Sequence, residues 1–130
     1  MYLEPYIRVN AVPFTASRDD VVCLHGRPRS EERSAIGLTA LDFGGIVYRF
    51  QDSGRLEEVT QRAPVLSLGR VMVPFAHLAA FVRAQDAGAF ERAGFLASPL
   101  FGFAFVPDVP DWITALARHC LPEWEAIGKR

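Results

Sequence analysis

The feature that most constrains this chain is the glycine pair Gly44-Gly45, which lies between two runs of β-favouring residues, 38–43 and 46–51. Adjacent glycines readily adopt the positive φ angles that a tight hairpin turn requires. A second turn at Asp52-Ser53-Gly54 leads into a third run with strand character at residues 56–62. The middle of the chain is therefore predicted to form an antiparallel meander.

Two helices are predicted on either side of this meander. Ser17 with Asp20 three residues later resembles a capping box, in which Asp20 takes the place of the usual Glu. The helix that follows, residues 18–25, is expected to stop at Gly26 because glycine is the commonest residue just past a helix end. A second helix is predicted from Pro74 to about residue 85, since apolar residues recur there at helical spacing.

The remaining segments carry weaker signals. Residues 30–34 are predicted to be a charged loop, and residues 90–93 to add a helical turn. Residues 101–106 are apolar and predict a buried strand. The segment 112–118 fits both a helix and a strand; its Trp, Ile and Thr favour a strand paired with 101–106. Pro122 is expected to open a short closing helix that continues to residue 127.

Length indicates one domain, and the predicted elements place it in the α+β class, with an antiparallel meander sheet and two to three helices packed on it. The chain has 130 residues, which is the size of a single domain, 1–130. It carries 14 Lys and Arg against 15 Asp and Glu, a formal net charge of −1. This balance argues against direct binding to nucleic acid. The N-terminus lacks the pattern of a signal peptide, and no apolar run is long enough to cross a membrane, so we expect a cytoplasmic protein.

The cysteines and histidines give no pattern that is typical of a catalytic or metal site. Cys23 and Cys120 have apolar neighbours and are expected to be buried free thiols in a reducing compartment. The histidines, His25, His77 and His119, share no metal-ligand spacing. His119 and Cys120 are adjacent, and neighbours on a strand point to opposite faces, so we do not expect them to act together. The sequence therefore predicts no metal, no cofactor and no enzymatic activity.

An alternative is a small ligand-binding or enzymatic domain. Asp108 and Asp111 flank a proline-rich turn, where two carboxylates can act as acid and base or bind a cation. Trp112, Trp124 and the phenylalanines at 101, 103 and 105 would then line a pocket. Turn capping by the two aspartates and core packing by the aromatic residues are the simpler interpretations.

The N-terminal half resembles a known family. The residues that carry the resemblance are Tyr6-Ile7-Arg8-Val9, Phe14-Thr15-Ala16-Ser17-Arg18-Asp19-Asp20-Val21, His25-Gly26-Arg27-Pro28, Val47-Tyr48-Arg49-Phe50 and Ser53-Gly54-Arg55-Leu56-Glu57-Glu58-Val59. They are similar to small bacterial immunity proteins of polymorphic-toxin and contact-dependent growth inhibition systems. They also resemble the helix-then-meander module of BamE and of β-lactamase inhibitor protein. The resemblance covers about residues 6–60, a little under half of the chain.

The immunity-protein resemblance implies a cytoplasmic protein that binds and blocks the C-terminal domain of a cognate toxin, often a nuclease. Its partner is then a protein, with no direct contact to nucleic acid or membrane. Nuclease clefts are basic, so carboxylates would complement one and speed its capture. The acidic residues on or beside the meander, together with a tyrosine that could serve as a hot spot, are therefore the predicted partner-binding residues: Asp42, Tyr48, Asp52, Glu57 and Glu58.

Overall fold

The computed structural model describes residues 1–127 of the protein. These residues form strands β1 to β13, helices α1 to α3 and a short 3-10 helix. The strands are Leu3–Glu4, Arg8–Val9, Val12–Pro13, Ser30–Arg33, Leu38–Asp42, Ile46–Gln51, Leu56–Arg62, Val65–Leu68, Val71–Pro74, Phe90–Arg92, Phe95–Ser98, Phe103–Phe105 and Trp112–Leu116. The helices are Arg18–His25, Phe75–Gln85 and Leu121–Ala126, with the 3-10 helix at Arg118–Cys120.

The main sheet has eight antiparallel strands in the order β10-β11-β12-β13-β7-β6-β5-β4. It consists of two consecutive four-stranded meanders, one from each half of the chain, that meet where β13 pairs with β7. Between the two meanders the chain forms the β8–β9 hairpin and α2. The predicted α+β class with an antiparallel meander is confirmed, and the three predicted strands of the meander belong to a sheet of eight strands.

The two faces of the main sheet have different coverings. Tyr48 and Val59 are paired neighbours on the face that we call the core face, where they join one buried cluster with Val21 of α1 and Leu78 of α2. Both predicted helices therefore pack on the same face, as expected. The short α3 packs on the opposite face, where Trp124 contacts a smaller cluster. Because α3 is only two turns long, part of this second face stays open.

The local signals at the first helix and the first hairpin are confirmed. Ser17 Oγ accepts a hydrogen bond from the Asp20 amide at 3.1 Å, and the Asp20 carboxylate accepts one from the Ser17 amide at 2.9 Å. Helix α1 spans the predicted residues and is capped by Gly26 at φ 83°. In the hairpin turn, Gly44 has the expected positive φ, at 101°, whereas Gly45 does not have a positive φ. Strand β13 pairs with β12, which confirms the pairing that the Trp, Ile and Thr of segment 112–118 favoured.

Three expectations were wrong. Residues 30–33 form the edge strand β4 rather than a loop, although all four side chains are exposed. Such a strand depends on backbone hydrogen bonds to β5 and leaves no apolar alternation to detect. Residues 90–92 form strand β10 instead of a helical turn.

The third wrong expectation concerns Cys23, which is exposed rather than buried. Helix α1 buries one narrow stripe around Val21, and a residue two positions later lies on the far side of the helix.

An irregularity between β6 and β7 changes which side chains are buried. Arg49 pairs with Glu58, but the next residue, Phe50, pairs with Leu56, so Glu57 is an extra residue in β7. A β-bulge of this kind breaks the strict alternation of side chains. Leu56 and Glu57 are consequently both buried although they are sequence neighbours.

Candidate functional site

A large open groove lies on the second face of the main sheet, between α3 and the loops around residues 36 and 109. Its volume is about 1060 Å³. The residues that line it come from β5, β6, β7, β11 and β13, from α3 and from the adjoining loops: Ile36, Gly37, Leu38, Arg49, Gln51, Asp52, Ser53, Glu58, Thr60, Phe95, Val106, Val109, Trp112, Thr114, Glu123, Trp124 and Ile127. The groove therefore joins the two meanders across the β7–β13 junction.

A chain of polar groups crosses three strands at the base of the groove. Arg49 Nη1 on β6 donates a hydrogen bond to Thr60 Oγ1 on β7 at 2.7 Å. Thr60 Oγ1 is in turn 2.8 Å from Thr114 Oγ1 on β13. Such a network fixes the orientation of the Arg49 guanidinium. The base of the groove is thus a pre-ordered polar surface, and the aromatic residues of the lining are Phe95, Trp112 and Trp124.

Glu58 is the carboxylate closest to this network. Trp124 Nε1 on α3 donates a hydrogen bond to Glu58 Oε2 at 3.0 Å, and Arg49 Nη1 lies 3.9 Å from Glu58 Oε1. Burial raises the pKa of Glu58, while the Trp124 hydrogen bond and the Arg49 charge oppose that rise. The Trp124–Glu58 contact also holds α3 against β7.

Apolar side chains form the rim of the groove. Ile36, at the tip of the β4–β5 connection, is 83% exposed, and Val109 in the β12–β13 loop is 52% exposed. Ile127 lies at the end of α3 and is 37% exposed. Large apolar side chains at the edge of one groove are typical of interaction sites, whereas single exposed ones are ordinary.

The structure separates the five residues predicted to bind a partner. Asp52 and Glu58 line the groove. Asp42 caps the β5–β6 turn by accepting a hydrogen bond from the Gly44 amide at 2.7 Å. Tyr48 and Glu57 are each only 1% exposed, so neither lies on the surface where the sequence placed it. Tyr48 points to the core face of the sheet, and the β-bulge buries Glu57.

The aromatic pocket considered as an alternative is formed in part. Trp112 and Trp124 line the groove, while Phe103 and Phe105 pack in the core on the other face. Asp108 and Asp111 are absent from the lining. Strand alternation explains the difference. Phe103 and Phe105 of β12 point to the core face of the sheet, whereas Trp112 and Thr114 of the neighbouring strand β13 point to the second face.

A second group of polar side chains, which we call the Glu57 cluster, comprises Glu57, His119 and Cys120. Glu57 Oε2 is hydrogen-bonded to Nε2 of His119, and Cys120 Sγ donates to the same oxygen at 2.6 Å. Burial, followed by the contact with Glu57, raises the pKa of the Cys120 thiol well above its usual range. A thiol held neutral in this way is unsuited to act as a nucleophile.

The assumption that His119 and Cys120 lie on a strand was wrong, because they belong to the 3-10 helix Arg118–Cys120, which follows β13. On a helical turn, adjacent side chains are not directed to opposite faces, and here both reach Glu57. The adjacency of His119 and Cys120 in the sequence was a signal that could have indicated this cluster. The sequence did not indicate that Glu57, 62 residues before His119, would join them.

Comparisons with known proteins give no match. No protein-family model, no curated protein and no solved structure matches this chain. Within residues 1–127, no helix has the length and apolar character needed to cross a membrane.

Proposed function

We propose that this protein is an immunity protein, which binds and neutralises a cognate toxin domain by occluding the toxin's active site. The observation that carries the proposal is the open groove with two tryptophans, Trp112 and Trp124, and an excess of acidic side chains. The resemblance of residues 6–60 to immunity proteins supports the same function. The protein then needs no catalytic residue of its own and acts in the cytoplasm, where its partner is the toxin's C-terminal domain.

The open shape and the rim of the groove favour a polypeptide as its occupant. Pockets for small molecules usually enclose about 300–1,000 Å³ and bury most of their ligand. The groove, at about 1060 Å³, is at the upper limit of that range, but it is open and carries exposed apolar side chains, Ile36 and Val109, at its edges. A protruding segment of a partner protein can contact the rim and the interior together. Trp112 is suited to be a central anchor because tryptophan is enriched among binding hot spots.

The charges of the groove favour a basic partner. Asp52, Glu58 and Glu123 outnumber Arg49 among the charged residues that line it. A nuclease domain presents a basic cleft or loop because it must bind phosphates. Opposite charge speeds association and selects the correct partner. We therefore propose a nuclease domain as the toxin, with a basic segment held in the groove.

The experiment uses the toxin domain encoded immediately upstream of this protein's gene, since an immunity gene is expected to follow its toxin gene. That domain is produced in bacteria alone and together with this protein, and growth is recorded. The wild-type protein should restore growth and form a complex with the toxin domain by size-exclusion chromatography. Replacing Trp112 by Ala should abolish protection, because it removes the aromatic anchor.

Two charge reversals on α3 give a matched pair. Glu123 lines the groove, whereas Glu125, two residues later and also exposed, is not among the lining residues. Glu123→Lys should slow association and weaken protection, while Glu125→Lys should behave as wild type. Equal effects of the two variants would contradict the groove as binding site, and failure of the wild-type protein to bind or protect would contradict the immunity function.

A second candidate function is the binding of a small polar ligand at the base of the same groove. The ordered Arg49–Thr60–Thr114 network favours it, because such a network can pair with polar groups of a ligand. Native mass spectrometry of the purified protein would reveal a retained small molecule. The retained mass should be lost in an Arg49→Met variant, and a wild-type protein that carries no small molecule would contradict this second function.

A further inference from the structure

The Glu57 cluster brings together three side chains that commonly bind metal ions. One carboxylate oxygen of Glu57, Nε2 of His119 and Sγ of Cys120 all lie within 4.8 Å of one another. Glu57 comes from β7, whereas the other two come from the C-terminal 3-10 helix. Their convergence is therefore a product of the β7–β13 junction, which places these segments side by side.

The Glu57 carboxylate is buried, and the groups that compensate its charge are His119, Cys120 and Arg55. The Glu57 side chain is 2% exposed, and Arg55 Nη2 reaches Glu57 Oε1 at 3.5 Å from a side chain that is 53% exposed. The largely buried carboxylate of Glu58 follows directly in the sequence and adds to the local negative charge. Buried carboxylates are costly unless a cation or several hydrogen bonds compensate them. A divalent cation held by Glu57, His119 and Cys120 would compensate the carboxylate in place of its hydrogen bonds to the other two residues.

We propose that Glu57, His119 and Cys120 bind a divalent metal ion of the zinc type. Thiolate, imidazole and carboxylate are together the donors that Zn²⁺ accepts, whereas Mg²⁺ and Ca²⁺ require oxygen ligands. Three protein ligands with a free fourth position are the usual arrangement of an open zinc site. His119 lines a second cleft, of about 440 Å³, which gives the ion a route from solvent.

Metal binding requires a small rearrangement of the cluster. Tetrahedral coordination separates a thiolate sulfur from a carboxylate oxygen by about 3.5 Å, compared with 2.6 Å between Cys120 Sγ and Glu57 Oε2 here. The thiol proton leaves to solvent as the sulfur becomes a metal-bound thiolate, so binding releases a proton. The loaded site joins β7 to the C-terminal segment and stabilises the native state, since an ion that prefers the folded chain favours folding.

Cobalt spectroscopy tests the site directly. The full chain is freed of metal and titrated with Co²⁺ in a reducing buffer. The expected result is a thiolate-to-cobalt charge-transfer band in the near ultraviolet that saturates at equimolar metal. Zn²⁺ should displace Co²⁺ and abolish the band, and it should raise the melting temperature of the metal-free protein. No charge-transfer band in the wild-type protein would overturn the proposal.

Two pairs of variants assign the ligands. Cys120→Ala should lose the band, whereas Cys23→Ala should keep it because Cys23 is exposed on α1 and outside the cluster. His119→Gln should weaken Co²⁺ binding, whereas His77→Gln on α2 should not. His119 is partly exposed, so its variant remains decisive if Cys120→Ala fails to fold by circular dichroism. A band that survives in Cys120→Ala, or wild-type affinity in His119→Gln, would also overturn the proposal. None of these measurements uses a toxin, so the outcome is independent of the immunity function.

Discussion

The hydroxyl oxygen of Tyr48 lies 2.8 Å from Nε2 of His25, which joins the centre of the main sheet to the last residue of α1. Phe43 packs against both rings, with ring centroids 4.9 Å from His25 and 5.9 Å from Tyr48. A buried tyrosine hydroxyl needs such a partner, because an unpaired one is costly. The contact therefore helps to fix the position of α1 on the core face of the sheet.

Removing the Tyr48 hydroxyl should weaken the protein at neutral pH. Tyr48→Phe keeps the ring and deletes the hydrogen bond, so we expect a loss of about 1 kcal/mol in the free energy of unfolding. Urea unfolding followed by circular dichroism at pH 7 measures it. Tyr2→Phe, at an exposed tyrosine, is the control and should be neutral; equal losses in the two variants would contradict the prediction.

The same variant should change the stability at alkaline pH. Burial raises the pKa of Tyr48 from 10.0 to about 12, so the folded state holds the phenolic proton more tightly than the unfolded state. The resulting stabilisation is complete below pH 10 and is lost as the pH rises through 12. Urea midpoints measured from pH 8 to pH 11 should fall more steeply for wild type than for Tyr48→Phe. Parallel curves would show that Tyr48 does not contribute to alkaline unfolding.

The N-cap of α1 should contribute measurably to stability. Ser17 and Asp20 form both hydrogen bonds of a capping box, and replacing a Ser N-cap by Ala typically costs about 0.5–2 kcal/mol. We expect Ser17→Ala to lose about 1 kcal/mol in chemical unfolding. Ser30→Ala, at an exposed position in β4, provides a matched control. A smaller loss in Ser17→Ala than in Ser30→Ala would show that the cap does not stabilise the helix.

Gly102 should tolerate no side chain. Its φ angle is +71°, and an added Cβ would lie 3.0 Å from Cε1 of Tyr6, whose hydroxyl donates a hydrogen bond to the carbonyl of Pro99. Left-handed strain and overpacking together predict a loss of about 2–4 kcal/mol for Gly102→Ala. Gly45→Ala is the control because a Cβ there meets nothing within 4 Å and φ is not positive. Thermal unfolding compares them, and similar melting temperatures would refute the close contact.

The two threonines at the base of the groove should be energetically coupled. Thr60→Val and Thr114→Val each leave the other hydroxyl without its 2.8 Å partner, at a cost of about 1–3 kcal/mol. The double variant should cost less than the two single losses combined, because the Thr60–Thr114 bond can be lost only once, while the loss of the Arg49–Thr60 bond is common to both variants that lack Thr60. A double-mutant cycle by urea unfolding measures the difference. Additive losses would show that the two hydroxyls do not interact.

The sequence by itself determined the elements that local chemistry specifies. Helix α1 has the predicted bounds because its start depends on Ser17 and Asp20 and its end on Gly26, all within one turn of the helix ends. Strands β5 to β7 were predicted because glycine-containing turns separate runs of β-favouring residues. In each case the residues that specify the structure are the residues that adopt it, so no distant contact was needed.

Only the tertiary structure decided the pairing of β13 with β7 and everything that depends on it. Strand β4 carries four exposed side chains and exists through backbone bonds to β5, which leave no pattern in composition. Glu57 is buried because a β-bulge shifts the register by one residue, and a shift of this kind reverses which face a side chain takes. The groove and the Glu57 cluster both combine β7 with residues beyond position 94, at separations where loop closure and packing, rather than local propensity, determine which segments meet.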